Sequence, residues 1–223
     1  MNNIKNTGLY DESFEHDACG IGAIASIDGI KSHKIVEDAL NILIHLEHRG
    51  GTGAESNSGD GAGILVQIPH EYFSSLDLGF KIGCEGSYGA QIFTSKNETI
   101  KNKSFEIVLN RLNDVKLKAL GIRKVPFNSL ELGMQAKNSL PGIYQFFIDR
   151  PEGETELEFE RHLYLARRLI EKEALSLELS DFYICSMSAK TIVYKGMLVS
   201  TQVQNFYVDL SDIKFKSAIA TVH

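Results

Sequence analysis

Cys19 is the residue with the most chemistry within reach. It lies in Glu15-His-Asp-Ala-Cys-Gly-Ile-Gly22, between the small neighbours Ala18 and Gly20. A thiol attacks a carbonyl efficiently near neutrality only when a base or a lowered pKa makes it a thiolate. An internal cysteine at the start of a strand has neither. Cutting the Ala18–Cys19 bond would supply one, because the new α-amino group, with an ordinary pKa of about 7.7–8.0, would be a base tethered beside the thiol. On that reading Cys19 is a nucleophile that carries its own base, residues 1–18 are a leader, and Ala18–Cys19 is the processing site. The plainer alternative is a packed core cysteine, and for Cys84, in a Gly-rich turn, and Cys185, within a strand, it is the expectation.

Arg49 opens a second chemical stretch, with six glycines in the fifteen residues from Arg49 to Gly63. Such a run requires a loop with unusual backbone angles. A phosphate-cradling loop would follow a strand and lead into Gly-Lys-Ser/Thr, and this one does neither. It reads instead as a loop that passes close to a small ligand or folds over one. His45 and His48 precede it and suit the negative end of a helix dipole better than a metal site. Arg49 is either one more cation at that helix end or a group that meets substrate.

The chain has 223 residues, enough for a substantial core in one large domain or two small ones. Hydrophobic content of 43% and charged content of 23% are those of a globular protein. The net charge of −6 argues against nucleic acid as a partner. No apolar run approaches the roughly 20 residues that span a bilayer, so no membrane span is expected. The N-terminus carries no secretory signal. Three widely spaced cysteines without a Cys-x-x-Cys pair imply neither a disulfide framework nor a zinc site, a cytoplasmic pattern with no metal expected.

The elements that must position these residues follow from spacing. Cys19 to Ser26 reads as a strand and 33–48 as an amphipathic helix capped by Ser32. Strands are expected at 62–68, 90–94, 123–127, 143–148 and 218–222. Helices are expected at 70–76, 100–120, from Ser129 to Lys137, at 155–175 and at 197–206. The runs 182–188 and 191–195, joined by the short Met187–Lys190 connection, suggest a hairpin. The long helix at 155–175 is expected to carry a solvated charged face with pairs such as Arg167–Glu171. The mixture implies mixed sheets covered by helices, an α/β (α+β) fold.

Seven segments resemble those of one family. They are Gly8-Leu-Tyr-Asp11, Glu15 to Gly22, His33-Lys-Ile-Val-Glu-Asp-Ala-Leu40, Leu46-Glu-His-Arg-Gly50, Gly59-Asp-Gly-Ala-Gly-Ile-Leu65 with Gln67-Ile-Pro69, Thr191-Ile-Val-Tyr-Lys-Gly-Met-Leu198, and Ala218 to His223. In this order they resemble the amino-terminal class II glutamine amidotransferase (glutaminase) domain of the glutamate synthase large subunit. The resemblance implies the N-terminal-nucleophile hydrolase fold, an αββα sandwich of two antiparallel sheets, over residues 19–223. It implies removal of the leader at Ala18–Cys19 and attack of Cys19 on the side-chain amide of L-glutamine. Ammonia leaves, and water hydrolyses the thioester to glutamate. Arg49 falls on the family arginine that lines the glutamine site, and the loop to about Asn57 on a mobile segment beside it. FMN and an iron–sulfur cluster are implied for the remaining domains of the full-length enzyme, where ammonia meets 2-oxoglutarate, and no cofactor for this segment.

The family pattern continues beyond His223 with a Ser-Arg-Phe-Ser-Thr-Asn stretch that holds the substrate carboxylate. An Asn-Gly pair for the oxyanion hole and an aspartate for the substrate amine follow. None is in this sequence, so the domain is expected to be incomplete at its C-terminus. Loss of one oxyanion donor alone costs roughly 100- to 1,000-fold in turnover, and the isolated chain is therefore expected to be inactive. The alternative is a non-catalytic remnant or partner-binding module with the same fold. An amidotransferase serving sugar or purine synthesis is disfavoured, because those relatives lack the segments at 33–40 and 191–197.

Overall fold

The computed structural model describes residues 20–49, 55 and 57–223, without the side chain of Arg49. It holds two antiparallel sheets with helices packed on them. The first joins β1 (Gly22–Ala25), β2 (Ala62–Gln67), β7 (Thr191–Gly196) and β8 (Ile219–Val222) in the order β1-β8-β2-β7. The second joins β3 (Ala90–Thr94), β4 (Lys118–Lys124), β5 (Gly142–Asp149) and β6 (Tyr183–Met187) in the order β4-β5-β3-β6.

Register decides which side chains meet. Gly22, Val222, Ile64 and Tyr194 lie in one row across the first sheet. Successive residues of a strand face opposite ways, so this row and its neighbours Ala220, Val66 and Ile192 share a face. That face is buried, and it belongs to the same apolar cluster as Ile35, Val36, Ala39, Leu40 and Leu43 of α1 (His33–His45). The helix seats closely: a Cβ at Gly22 would come within 2.3 Å of Ile42 Cγ2. The opposite face, with Leu65, Val193, Lys195 and Thr221, is only half-buried.

On the second sheet, Ile92, Phe146, Ile148 and Ile184 pack under α3 (Glu98–Asp114) and α5 (Glu156–Ser176). Asn97 starts α3 by accepting from the backbone N–H of Thr99 and Ile100 at 3.0 and 3.3 Å. Thr155 and Glu158 cap α5 reciprocally, and Arg167–Glu171 pair on it at 2.8 Å as expected. The sheets meet along β7, where Val193 O accepts from Gln91 Nε2 at 2.9 Å and from Cys185 Sγ at 3.3 Å.

This meeting corrects the expected hairpin. β6 pairs with β3 and β7 with β2, so the Met187–Lys190 connection passes from one sheet to the other. Its corner is held by side chains: Glu160 Oε1 accepts from Ser188 Oγ and from Ala189 N, and Ser188 Oγ accepts from the N–H of Lys190 and Thr191.

Other boundaries also move. The helix expected to Leu120 stops at Asp114, where Lys116 adopts φ 61° and Leu117 N–H donates back to Leu112 O. Leu117 still packs in the cluster beneath α3, which is why it continued the helical spacing. The strand expected at 123–127 lies at 118–124 instead, and its residues show no alternation of burial. α4 (Met134–Ser139) starts at Gly133, not at Ser129. The helix expected at 197–206 is a 3-10 turn at Ser200–Gln202 followed by α6 (Val203–Phe206). Ser32 precedes α1 but its side chain makes no cap; its backbone instead exchanges hydrogen bonds with Ser217. The short helix expected at 70–76 is α2 (His70–Ser74).

Candidate active site

A cleft of about 830 Å³ opens at the end of the first sheet where β1 begins. Gly20 and Ile21 form its rim, beside Asp60–Gly63 at the start of β2, Lys195–Ser200 at the end of β7, and Thr221–His223 of β8. Leu43, Leu46 and Glu47 reach it from α1 and the turn after it, and Leu132, Ala136 and Leu140 from the region of α4. The half-buried face of the first sheet is therefore one wall of this cleft. Gly20 is bonded directly to Cys19. Cys19, Ala18 and the leader lie outside the described residues.

The first helix runs on into a 3-10 turn at Glu47–Arg49, so Arg49 follows the cleft-lining Glu47 by two positions. The Arg49 side chain and residues 50–54 and 56 lie outside the described residues. His45 and His48 do what the helix end requires: their Nδ1 atoms sit 2.7 and 3.0 Å from the carbonyls of Asn41 and His45. The return limb of the glycine-rich loop is described and is tightly docked. A Cβ on Gly59 would come within 2.3 Å of Leu198 O, so only glycine lets the limb lie against β7's exit. Ser58 is buried, and its Oγ donates to Glu55 Oε2 at 3.1 Å.

Most of the cleft is apolar, with few polar groups. Lys195 Nζ donates to Tyr183 OH at 2.7 Å and lies 4.6 Å from the centre of that ring. Tyr207, fully buried in the wall, donates its hydroxyl to Lys195 O at 2.7 Å. Burial pushes the Tyr207 pKa well up, so its hydroxyl stays protonated and acts as a donor. An apolar cavity with a few placed polar groups suits a small molecule that those groups orient.

Behind the cleft is a knot that sequence reasoning did not anticipate. Asp209, 1% exposed, accepts from Arg123 Nη1 and Nη2 at 2.7 and 2.8 Å, from Tyr72 OH at 2.7 Å and from Tyr194 OH at 2.8 Å. Gln145 joins Arg123 and Tyr194 to Gln91. Burial works against the Arg123 charge, yet the bonds to Asp209 hold its pKa above the ordinary value. The knot ties β4, β5 and β3 of the second sheet to β7 of the first. Its only sequence signal was an aspartate between apolar residues in Phe206-Tyr-Val-Asp-Leu210.

The packed-core expectation holds for Cys185 and fails for Cys84. Cys185 is buried, and burial pushes its thiol up to about 12, so it is not a nucleophile. Cys84 is exposed, with Sγ 3.5 Å from Ser87 Oγ. Among the described residues no group of three His, Cys, Asp or Glu side chains could hold a metal. Cys84 and Cys185 cannot supply the four thiolates of an iron–sulfur cluster, so the residues present do not fit one. Among the described residues, no helix is long and apolar enough to cross a membrane.

The family model described as "Glutamine amidotransferases class-II" matches residues 19–223. Its match begins at Cys19. The chain is 42% identical over 222 residues to "Glutamate synthase [NADPH] large chain" of Bacillus subtilis, covering 98% of this chain and 14% of that protein. It is 41% identical over 230 residues to "Glutamate synthase [NADH]" of Saccharomyces cerevisiae, covering 97% of this chain and 10% of that protein. To "Ferredoxin-dependent glutamate synthase 2" of Synechocystis it is 40% identical over 213 residues, covering 94% of this chain and 13% of that protein. The chain thus spans a small part of the length of the relatives it matches.

Proposed function

The chain belongs to the class II glutamine amidotransferases, and from that premise we propose that it is the glutaminase segment of a glutamate synthase. Cys19 is its nucleophile once the bond to Ala18 is cut. The freed α-amino group takes the thiol proton, and the thiolate attacks the side-chain carbonyl carbon of L-glutamine. The same proton passes to the departing nitrogen, ammonia leaves, and water hydrolyses the thioester to glutamate. Arg49 meets the substrate. The observation that carries this reading is the position of the cleft: its rim is Gly20 and Ile21, the residues that follow Cys19.

Electron donation belongs to other parts of the complete protein. The relatives named for NADPH, NADH and ferredoxin match this segment almost equally, at 42%, 41% and 40% identity. FMN and an iron–sulfur cluster would sit in those other domains, which are the partners of this segment, and the compartment is the cytoplasm. The test is alkylation by a glutamine-shaped diazoketone, followed by intact mass, in a full-length glutamate synthase that carries this segment. Saturable labelling of Cys19, competed by glutamine and lost in Cys19→Ser, is the expected result, on a species that begins at Cys19. Labelling that is unsaturable, or that glutamine does not slow, would overturn the assignment.

A further inference from the structure

Three walls of the cleft arrive from distant parts of the sequence. They are the return limb of the glycine-rich loop at Asp60–Gly61, the segment around Leu132 and Ala136, and the turn at Val199–Ser200. One side chain touches the backbone next to each of them. Gln202 is 5% exposed and does not itself line the cleft. Its Nε2 donates to Asn57 O at 3.1 Å and to Glu131 O at 3.0 Å, and its Oε1 accepts from Val199 N–H at 3.0 Å. Both amide protons and the carbonyl oxygen are therefore engaged. Asn57 O also accepts from Gly133 N–H at 3.1 Å, which closes the triangle between loop limb, α4 segment and β7 exit.

We propose that Gln202 is a positioning residue for the amide-hydrolysing site: its carboxamide fixes the loop limb and the α4 segment against β7 and so sets the shape in which glutamine is held. The chemistry is specific to an amide. A carboxylate would face two carbonyl oxygens, and a methionine of similar length could replace none of the bonds. Asn57 O would keep the Gly133 N–H, but it and Glu131 O would both lose the Gln202 donor, so the carboxamide bridge between the segments is lost. The packed cluster around Leu198, Val203 and Phe206 stays intact in either case. The effect should therefore be local, appearing in the limb before the core.

The inference rests on the glutaminase reading only for what the site binds, and its test separates the two. Gln202→Met and Gln202→Glu, made in the same full-length protein, are compared with wild type by hydrogen exchange at Asn57–Gly61 and Glu131–Ala136, with α5 as internal reference. Exchange in the two wall segments should accelerate about tenfold or more in both variants while α5 is unchanged. The same proteins are treated with the glutamine-shaped diazoketone and, separately, with iodoacetamide. The half-saturating diazoketone concentration should rise about tenfold, with the maximal labelling rate and the iodoacetamide rate within twofold of wild type. Unchanged exchange in the walls of either folded variant would overturn the proposal. So would a slowed iodoacetamide reaction with unaltered diazoketone saturation, which would place the effect on the thiol. Should Gln202→Met fail to fold, Gln202→Glu, which keeps the acceptor for Val199, decides alone. A wild-type full-length protein that shows no diazoketone saturation refutes the glutaminase reading and leaves the exchange result to judge Gln202.

Discussion

Ile92, Phe146 and Ile148 on the second sheet are fully buried under α3 and α5, whereas Leu65, Val193 and Thr221 on the first are half-exposed along the cleft. The strands that carry them are similarly apolar, so strand composition does not explain the difference. What differs is the cover. Two long helices cover the face of the second sheet that carries Ile92, Phe146 and Ile148, whereas its other face sends Phe93 and Ile143 to the cleft, and α1 leaves the cleft-side face of the first sheet open. The sealed region stores stability, and the open region holds space in which a ligand can lie. The knot around Asp209 lies between them, and it has members in both sheets.

The largest expected effect comes from that knot. Asp209→Ala would leave Arg123 charged and buried with its carboxylate gone, which costs about 3–5 kcal/mol. Urea denaturation followed by far-UV circular dichroism should show one transition at a much lower midpoint. Two separated transitions would mean that the sheets unfold independently and that the knot does not couple them.

A smaller contrast tests the cover directly. Leu163 on α5 is 0% exposed inside the sealed cluster, and Leu163→Ala should cost about 3 kcal/mol. Leu65→Ala, on the cleft wall, should cost less than about 1 kcal/mol, because the side chain is already half in solvent. Equal losses at the two sites, measured by the same denaturation, would show that the cleft face is packed in solution.

Much of this division was legible in the residues. Periodicity placed α5, β2, β3 and β5 within one or two residues, because each carries a strong apolar pattern and a clear stop, and it placed the start of α1 but ran three residues past its end at His45. It failed where a side chain takes over the work of the backbone. The corner at Ser188 is held by Glu160 from a helix distant in sequence, so nothing between Met187 and Lys190 distinguishes it from a hairpin turn. The end of α3 was missed because Leu117 packs in the same cluster as the helix face it follows. The chemical residues divide in the same way. Cys19 and Arg49 are proposed from their types in context, and Cys19 and the Arg49 side chain lie outside the described residues. Gln202, Tyr207 and Asp209 were not legible, since a single polar residue in Leu198-Val-Ser-Thr-Gln-Val-Gln-Asn-Phe-Tyr-Val-Asp-Leu210 reveals its partners only once the walls have met.

The smallest effect tests how far solvent enters between the sheets. Cys185 faces β7 where the two sheets touch, and burial raises its pKa from 9.0 to about 12. The group is neutral when protonated, so its folded form binds the proton more tightly than the unfolded chain does. Its contribution to stability is complete below about pH 9 and declines as pH rises toward 12, because the unfolded thiol ionises first, at about 1.4 kcal/mol per pH unit. Tyr88, Tyr194 and Tyr207, also raised by burial from 10.0, add the same sign of effect at higher pH. The interval from about pH 9 to 10 is therefore where the cysteine dominates. Over it, Cys185→Ala should lose stability more slowly than wild type by about 1 kcal/mol, read from urea midpoints at each pH. Identical slopes would place water against that sulfur, and the cleft would then extend through the junction at β7 instead of ending on its outer face.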